Sequence, residues 1–234
     1  MVRRLATCLL SGALALCLLV AGSQPTLATV VFDDHFTGNS DGIPANWWGL
    51  GVIVESGTTV TLHDEAGMAT TSTIDPQTGT VTVTVDVVGT NKSAMAGLAD
   101  DGTLQNKFEF KITVPDGDVY AFARDTESGW QEYMAGHVTG YAGGSIRLTA
   151  VLTATTFTIS TDSPAFSTGP IEYDAAFSTF VRAALSNAAV IALMSDALDG
   201  GPSFATYDRI TVDIVPAVAV ESLSFGQIKA LYGR

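Results

Sequence analysis

Cysteine is nearly absent from this chain of 234 residues, and its two copies are Cys8 and Cys17. The stretch that holds them begins with basic residues, continues as an apolar run too short for most membrane spans, and ends in small residues. We predict that residues 1–28 form a secretory signal peptide cut after Ala28, although a cut after Ser23 also fits. The mature chain then has no thiol, which excludes disulfides and cysteine-bound metals.

Basic residues are scarce as well, since 11 Lys and Arg stand against 24 Asp and Glu, giving a net charge of −13. A negative protein repels phosphate backbones and anionic lipid surfaces. We therefore expect no nucleic-acid partner, and no membrane partner once the leader is removed. A secreted or cell-surface location fits this composition, with the periplasm as an alternative. The three histidines, His35, His63 and His137, lack any zinc-binding spacing.

Helical periodicity is missing from the residues that follow the leader, up to about residue 215. Alternation of β-branched or apolar residues with polar ones recurs there instead, most clearly at 80–86 (TVTVTVD) and 108–112 (FEFKI). Turn-forming residues such as those at 199–202 (DGGP) separate the runs. This pattern predicts one all-β domain over 29–215, a two-sheet antiparallel sandwich or jelly roll.

The last residues, 216–234, differ in character from the domain. Pro216 opens a short linker, and Ser224 with Gln227 matches a helix capping box beside apolar residues that share one helical face. We predict a short amphipathic C-terminal helix. Because such a helix is unstable alone in water, its apolar face either packs on the sandwich or is recognised by an export or assembly partner.

Catalytic motifs are few: there is no serine nucleophile elbow, no phosphate-binding loop and no tight acidic cluster on one strand. Hydrolysis of glycosidic bonds on a sandwich fold needs two carboxylates that face each other across a groove. Glu109, between two phenylalanines, and Glu132 are the best such pair in the chain. The simpler interpretation is two solvated carboxylates, with Lys111 as an ordinary ion-pair partner of Glu109.

Aromatic side chains offer a different chemistry, because their rings stack on the faces of sugars. Trp130, Tyr133 and Tyr141 lie in a glycine-flanked segment, and they are our candidates for ligand binding. Trp47 and Trp48 are adjacent, so on a strand one ring is expected in the core and the other at the surface.

Aspartates near both ends of the domain suggest a structural Ca²⁺ site, since hard cations prefer oxygen ligands. The candidates are Asp33, Asp34, Asp208 and Asp213. If the terminal strands pair, these carboxylates approach one another, and carbonyls of the 39–43 loop can complete the site. The segment 100–102 (DDG) is a weaker second candidate. Alternatively, the aspartates only cap turns and solvate strand edges.

Two segments resemble a known fold family. The sequence at 30–50, VVFDDHFTGNSDGIPANWWGL, resembles the first strand and loop of concanavalin A-like lectin or glucanase sandwiches, particularly bacterial laminin G-like modules. The sequence at 204–214, FATYDRITVDI, resembles their last strand. The resemblance implies a jelly roll of two curved sheets, frequent carbohydrate binding, and often a calcium ion near the joined termini, where Asp33 or Asp34 and Asp208 match. The catalytic acids of the glucanase members have no counterpart here.

Three classes of function follow from these observations. We expect a secreted, noncatalytic sandwich that binds a glycan or a cell-surface polymer, with Trp130 and Tyr133 in contact with it. A glycoside hydrolase or lyase that uses Glu109 and Glu132 is the second possibility. The third is a structural surface protein attached or assembled through its C-terminal tail.

Overall fold

A computed structural model describes residues 28–37, 43–75, 79–100, 107–125, 129–173, 189–196 and 201–216. These residues form fourteen strands: β1 (Thr29–Asp34), β2 (Trp47–Ser56), β3 (Thr59–Thr70), β4 (Gly79–Thr90), β5 (Ser93–Asp100), β6 (Lys107–Thr113), β7 (Asp118–Asp125), β8 (Gly129–His137), β9 (Ile146–Leu152), β10 (Thr156–Thr161), β11 (Phe166–Ser167), β12 (Ile171–Glu172), β13 (Ala189–Ser195) and β14 (Phe204–Pro216). The predicted leader and the predicted C-terminal helix lie outside the described residues. Within the described ranges, no helix has the length and apolar character needed to cross a membrane.

The strands pair antiparallel along one path, β11–β10–β9–β4–β14–β3–β13–β5–β6–β7–β8, with β12 on β10, β1 on β14 and β2 on β3. This path folds over on itself, because the ring of Phe108 in β6 lies 6.1 Å from that of Phe157 in β10, far away along the path. We call β11, β12, β10, β9, β4, β14 and β1 sheet A, and we call β2, β3, β13, β5, β6, β7 and β8 sheet B. The predicted two-sheet antiparallel jelly roll is confirmed for the described residues.

Strand β3 joins the two sheets by changing its partner halfway along. Its first half pairs with β14 and its second half with β13. The change occurs at a bulge of β3, where Asp64, Glu65 and Ala66 stand opposite the single residue Gly51 of β2. The φ angles of Asp64 and Glu65 are 51° and 64°. Gly51 has a φ of 90°, and a Cβ there would lie 2.8 Å from that of Ala66, so only glycine fits. The bulge turns the β2–β3 hairpin from sheet A into sheet B.

The core lies between the sheets and follows the alternation in the sequence. The valines of TVTVTVD in β4 are buried, as are Phe108, Phe110 and Ile112 of β6. Tyr207 of β14 reaches across from sheet A to sheet B. Its hydroxyl accepts a hydrogen bond from the Met95 N–H of β5 (2.9 Å) and donates one to the Met194 carbonyl of β13 (2.6 Å). This buried hydroxyl ties the two sheets together, and burial raises the pKa of Tyr207.

Candidate functional site

One row of residues crosses sheet B from edge to edge, on the face turned away from sheet A. In strand register it consists of Trp48 (β2), Ala69 (β3), Ala192 (β13), Gly97 (β5), Glu109 (β6), Phe122 (β7) and Glu132 (β8). Residues opposite each other on neighbouring strands share one face of a sheet. The row therefore begins with an aromatic ring, continues over three small residues, and ends with two carboxylates on either side of a phenylalanine.

The small residues leave a cavity of about 320 Å³ in this face, which we call the trough. It is bounded by Trp48 and Leu50 on one side and by Lys107, Glu109 and Arg124 on the other, over a floor that contains Ala69, Ala99 and Ala192. The Trp48 ring is 40 % exposed and Leu50 is 72 % exposed, so the β2 wall is apolar and open to solvent. The opposite wall is charged.

Gly97 lies beside Glu109, and its lack of a side chain leaves room for the trough and for the Glu109 carboxylate. A Cβ at Gly97 would overlap the carbonyl of Phe108 and would lie 2.9 Å from Cγ of Glu109. Any larger residue would push the Glu109 side chain or β6 away from its place. The glycine thus positions the carboxylate in the charged wall of the trough.

Glu109 is the most unusual group in the trough, because it is a carboxylate with only 1 % of its surface exposed. Lys107 Nζ donates a hydrogen bond to its Oε1 at 3.0 Å. Its Oε2 is buried and has no hydrogen-bond partner in the described part of the chain. Burial raises the pKa of Glu109, and the charge of Lys107 opposes that rise. The trough therefore contains a hydrogen-bond acceptor with an unused oxygen.

A second cavity of about 210 Å³ lies on the same face, lined by Met95, Lys111, Phe122, Glu132 and Asp196. Lys111 Nζ lies 3.1 Å from Oδ2 of Asp196 and 4.5 Å from the centroid of the Phe122 ring. This geometry corrects the expectation that Lys111 pairs with Glu109. The ion-pair partner of Glu109 is Lys107, because Lys111 is held by the carboxylate that follows β13 and by an aromatic face.

The two predicted acidic residues, Glu109 and Glu132, lie on the same face of sheet B. They are two strands apart with Phe122 between them, which corresponds to roughly 10 Å between their Cα atoms. They line different cavities, Glu109 the trough and Glu132 its neighbour. Glu109 is buried and Glu132 is exposed, so the interpretation as two solvated carboxylates holds for Glu132 and is wrong for Glu109.

The tryptophan pair behaves as its adjacency predicts. Trp47 is 5 % exposed, and its indole N–H donates to Oδ2 of Asp34 at 2.8 Å, whereas Trp48 is a surface residue. Sequence reasoning did not identify Trp48 as a ligand contact. The available signal was the adjacency itself, since the partner of a core tryptophan on a strand must face outward.

The structure describes the side chains of two of the three aromatic ligand candidates, Tyr133 and Tyr141. Tyr133 is 44 % exposed, and its ring lies 5.8 Å from that of the core residue Phe157. Tyr141 is a correction: it is 5 % exposed, its hydroxyl donates to the Gly144 carbonyl, and burial raises its pKa to about 12. A buried ring cannot stack on a sugar. The backbone of Trp130 lies in β8 opposite Arg124, and its side chain is outside the described part of the chain.

The terminal strands pair, with Thr29 opposite Ile214, as the calcium prediction required. Asp33 nevertheless binds Arg209 through both oxygens, at 2.8 and 2.7 Å, and this pair lowers the pKa of Asp33. Asp34 accepts hydrogen bonds from the N–H of Phe36 and the indole of Trp47.

Asp208 and Asp213, the other two calcium candidates, have different surroundings. Asp208 accepts from the Thr58 hydroxyl at 3.4 Å, and Asp213 lines a shallow polar cavity with Arg209 and Arg147. No group of three possible metal ligands occurs among the described residues. Residues 38–42 and 101–106 lie outside the described ranges, and calcium binding stays a prediction.

Comparisons with known proteins agree on the architecture. An endo-1,3-beta-glucanase from Streptomyces sioyaensis superposes with a TM-score of 0.53 at 12 % identity, over 83 % of this chain and 99 % of that one. Winged bean acidic lectin, in complex with methyl-alpha-D-galactose, gives 0.54 at 7 % identity, over 81 % and 99 %. The chain has the concanavalin A-like jelly-roll fold.

A third similar structure is the CBM2 module of an evolved Dit protein of Lactobacillus casei BL23 phage J-1. It has a TM-score of 0.55 at 10 % identity and covers 80 % of this chain and 96 % of that one. No protein-family model and no curated protein matches the sequence. At such low identities the likeness concerns the fold alone, so the chemistry of the trough carries the functional argument.

Proposed function

We propose that this protein binds a glycan in the trough of sheet B. Trp48 stacks on the face of a sugar ring, and Oε2 of Glu109 accepts a hydrogen bond from a sugar hydroxyl. The observation that carries the proposal is the placement of an exposed tryptophan opposite a buried carboxylate with an unused oxygen, across a floor of small residues. The winged bean lectin, with its bound galactoside, supports the proposal by fold alone.

The chemistry of the walls fits a sugar better than a purely apolar ligand. Sugars present an apolar ring face to aromatic side chains and hydroxyl groups to polar ones. In the trough, Trp48 and Leu50 meet the first requirement, and Glu109 with Lys107 meets the second. Four strand spacings separate β2 from β6, roughly 19 Å, so the ligand has more than one sugar unit and lies across the strands.

Charge balance in the trough favours a neutral glycan. The cationic groups Lys107 and Arg124 are matched by the carboxylates Glu65 and Glu109, which line the same cavity. An acidic sugar would bring its own carboxylate near Glu109, and like charges in a partly desolvated site repel. We therefore expect neutral oligosaccharides to bind more tightly than uronic-acid oligosaccharides of equal length.

A glycan array followed by calorimetry tests this proposal. The array compares neutral chains, including β-1,3-glucan fragments and galactosides, with uronic-acid chains, and the tightest neutral binder is then titrated into variants. Trp48→Ala should weaken binding by roughly fivefold to tenfold, because ring stacking contributes about 1 kcal/mol beyond area burial.

The matched control for this substitution is Val54→Ala. Val54 is exposed on the same strand but does not line the trough, so its removal should leave affinity unchanged. The proposal is wrong if Trp48→Ala binds as tightly as the parent, or if no glycan binds the parent protein at all.

Hydrolysis is the second candidate, favoured by the placement of Glu109 and Glu132 on one row. The raised pKa of Glu109 suits a general acid, and exposed Glu132 suits a base that activates water. A spacing of two strands is compatible with the wider carboxylate separation of inverting glycosidases. Reducing-sugar release that is abolished by both Glu109→Gln and Glu132→Gln would establish it, and the absence of release from every bound glycan would dismiss it.

Location and attachment belong to the proposal as well. An extracellular, periplasmic or cell-surface location rests on the predicted leader, and attachment through the C-terminal tail rests on the predicted helix. Both segments lie outside the described residues. Removal of 217–234 followed by fractionation tests the tail, since an attachment role requires that the shortened protein leave the cell surface.

A further inference from the structure

The oxidisable sulfur of this protein is concentrated on sheet B. Both cysteines lie in the predicted leader, so the mature chain is left with thioethers. All methionines other than Met1 are strand residues of this sheet: Met68 (β3), Met95 (β5), Met134 (β8) and Met194 (β13). They differ in exposure, because Met68 and Met95 are buried, Met194 is partly buried and Met134 is 55 % exposed.

We propose that Met194 is a reversible oxidation site at the wall of the trough, and that its sulfoxide weakens ligand binding there. The effect on the ligand rests on the proposed glycan-binding function, whereas the oxidation itself does not. Met194 is the methionine that combines three features: partial exposure, a place in the trough lining, and a contact with the charged wall.

The contact with the charged wall is specific. Sδ of Met194 lies 3.9 Å from Nζ of Lys107, the same ammonium group that donates to Glu109. The other side of the Met194 side chain is close to β3, since a Cβ at Gly67 would lie 3.3 Å from Cγ of Met194. A new atom on the sulfur therefore has room toward Lys107 and the trough, and little room toward β3.

The chemistry needs a hydroperoxide as the oxidant. The sulfur lone pair attacks the distal peroxide oxygen, an S–O bond forms, and the O–O bond breaks. The thioether loses two electrons to become a sulfoxide, and the hydroperoxide is reduced to an alcohol, or to water in the case of hydrogen peroxide. A reductase that acts on methionine sulfoxide reverses the change at the expense of a dithiol.

The product alters the trough in two ways. Sulfoxide oxygen is a strong acceptor where the thioether was a weak one, so it competes with Glu109 for the protons of Lys107. It also places a polar atom in the lining of the trough, where the thioether offered an apolar surface. Both changes oppose binding of a neutral glycan.

The experiment treats the purified protein with hydrogen peroxide and maps the oxidised residues by peptide mass spectrometry. Met134 and Met194 should gain one oxygen each, while Met68 and Met95 remain thioethers. Affinity for the tightest neutral oligosaccharide of the array should fall by roughly fivefold, which corresponds to about 1 kcal/mol. Treatment with methionine sulfoxide reductase should restore it.

Two substitutions separate the trough effect from general damage. Met194→Leu conserves volume, and its own affinity should be the same before and after peroxide treatment, whereas Met134→Leu should lose affinity as the parent does. Melting curves of both variants confirm that they fold. Persistence of the Met194 thioether while Met134 is oxidised overturns the inference, as does an equal loss of affinity in oxidised Met194→Leu.

A readout without glycan keeps this inference distinct from the proposed function. The side-chain carboxyl of Glu109 is followed by NMR across a pH titration before and after oxidation. Withdrawal of Lys107 toward the sulfoxide should move the Glu109 titration to higher pH in the parent and leave it in place in Met194→Leu. If the Glu109 titration shifts on oxidation but no glycan binds, the proposed function is wrong and the present inference stands. If the Glu109 titration is unchanged while Met194 is oxidised, the link between Met194 and Glu109 is wrong.

Discussion

Glu109 shows how far a single residue can depart from its local sequence. Within FEFKI it alternates with core phenylalanines, which predicts an outward and hydrated side chain. Its side chain does face away from the core, yet it is buried because Lys107, Gly97 and the small residues of neighbouring strands surround it. Tertiary packing therefore converts an ordinary strand carboxylate into a desolvated one, and the proposed role of Glu109 in binding rests on this change.

The raised pKa of Glu109 predicts a pH dependence of stability. The folded protein holds this proton more tightly than the unfolded chain, so the free energy of unfolding should fall as pH rises from the ordinary glutamate range through the raised pKa. At pH values below the ordinary glutamate pKa, the contribution of Glu109 to the free energy of unfolding does not change with pH. Urea unfolding of the parent and of Glu109→Gln at a series of pH values measures it.

Subtraction isolates Glu109 from the other carboxylates in this experiment. The Asp33 pKa is lowered by Arg209, so its contribution is lost at lower pH and with the opposite slope, and it is common to both proteins. The difference curve should slope downward with rising pH. A flat difference would contradict the burial of this charge.

At the scale of elements, strand β14 organises both sheets. It lies between β4 and β1 in its second half, and its first half pairs with β3, the strand that crosses into sheet B. Tyr207, in that first half, carries its hydroxyl across the core to the backbones of β5 and β13. Since β5 and β13 carry Gly97 and Met194, the same hydrogen bonds support the trough from behind.

Tyr207→Phe should therefore cost more stability than removal of an ordinary tyrosine hydroxyl. The change leaves the Met95 N–H and the Met194 carbonyl without this buried partner, for an expected loss of about 1–3 kcal/mol. Denaturant unfolding measures the loss. Tyr173→Phe is the control, because its hydroxyl donates a partly buried hydrogen bond to the Thr153 carbonyl at 3.3 Å. Equal losses in the two variants would contradict the role of Tyr207.

At the scale of the whole molecule, the described sandwich is stabilised by its core and contains no disulfide. A chain of this length buries enough apolar surface in one core to do so, and the described residues contain no cysteine. The first described strand begins at Thr29, directly after the predicted cleavage position, and pairs with the end of β14. A signal peptidase cut after Ala28 would thus remove the leader and leave β1 intact.

Two measurements on the exported protein test this arrangement. Intact mass and N-terminal sequencing should identify Thr29 as the first residue, because a later cut would remove part of a paired strand. A thiol reductant should leave the melting temperature unchanged, since the predicted cleavage removes both cysteines. Retention of Cys8 or Cys17 in the exported protein would contradict the prediction.

The sequence predicted the elements better than the site. Alternation in TVTVTVD and FEFKI identified strands β4 and β6 and their buried faces. Of the adjacent tryptophans, Trp47 lies in the core and Trp48 at the surface, as expected for neighbours on a strand. Tyr141 was misassigned because glycines on both sides suggested an open loop, whereas its ring packs into the core. The adjacency of Trp47 and Trp48 indicates that one ring is exposed, but only the strand order shows that the exposed ring of Trp48 borders the trough.

The local pattern by itself determined the all-β class of the described residues and the two faces of strands such as β4 and β6, because these follow from a period of two. The composition determined that residues 29–234 contain no cysteine. Only the tertiary structure decided which faces meet. The row from Trp48 to Glu132 draws one residue from each of seven strands. Such a row exists only through strand order and register, which depend on contacts between residues far apart in the chain.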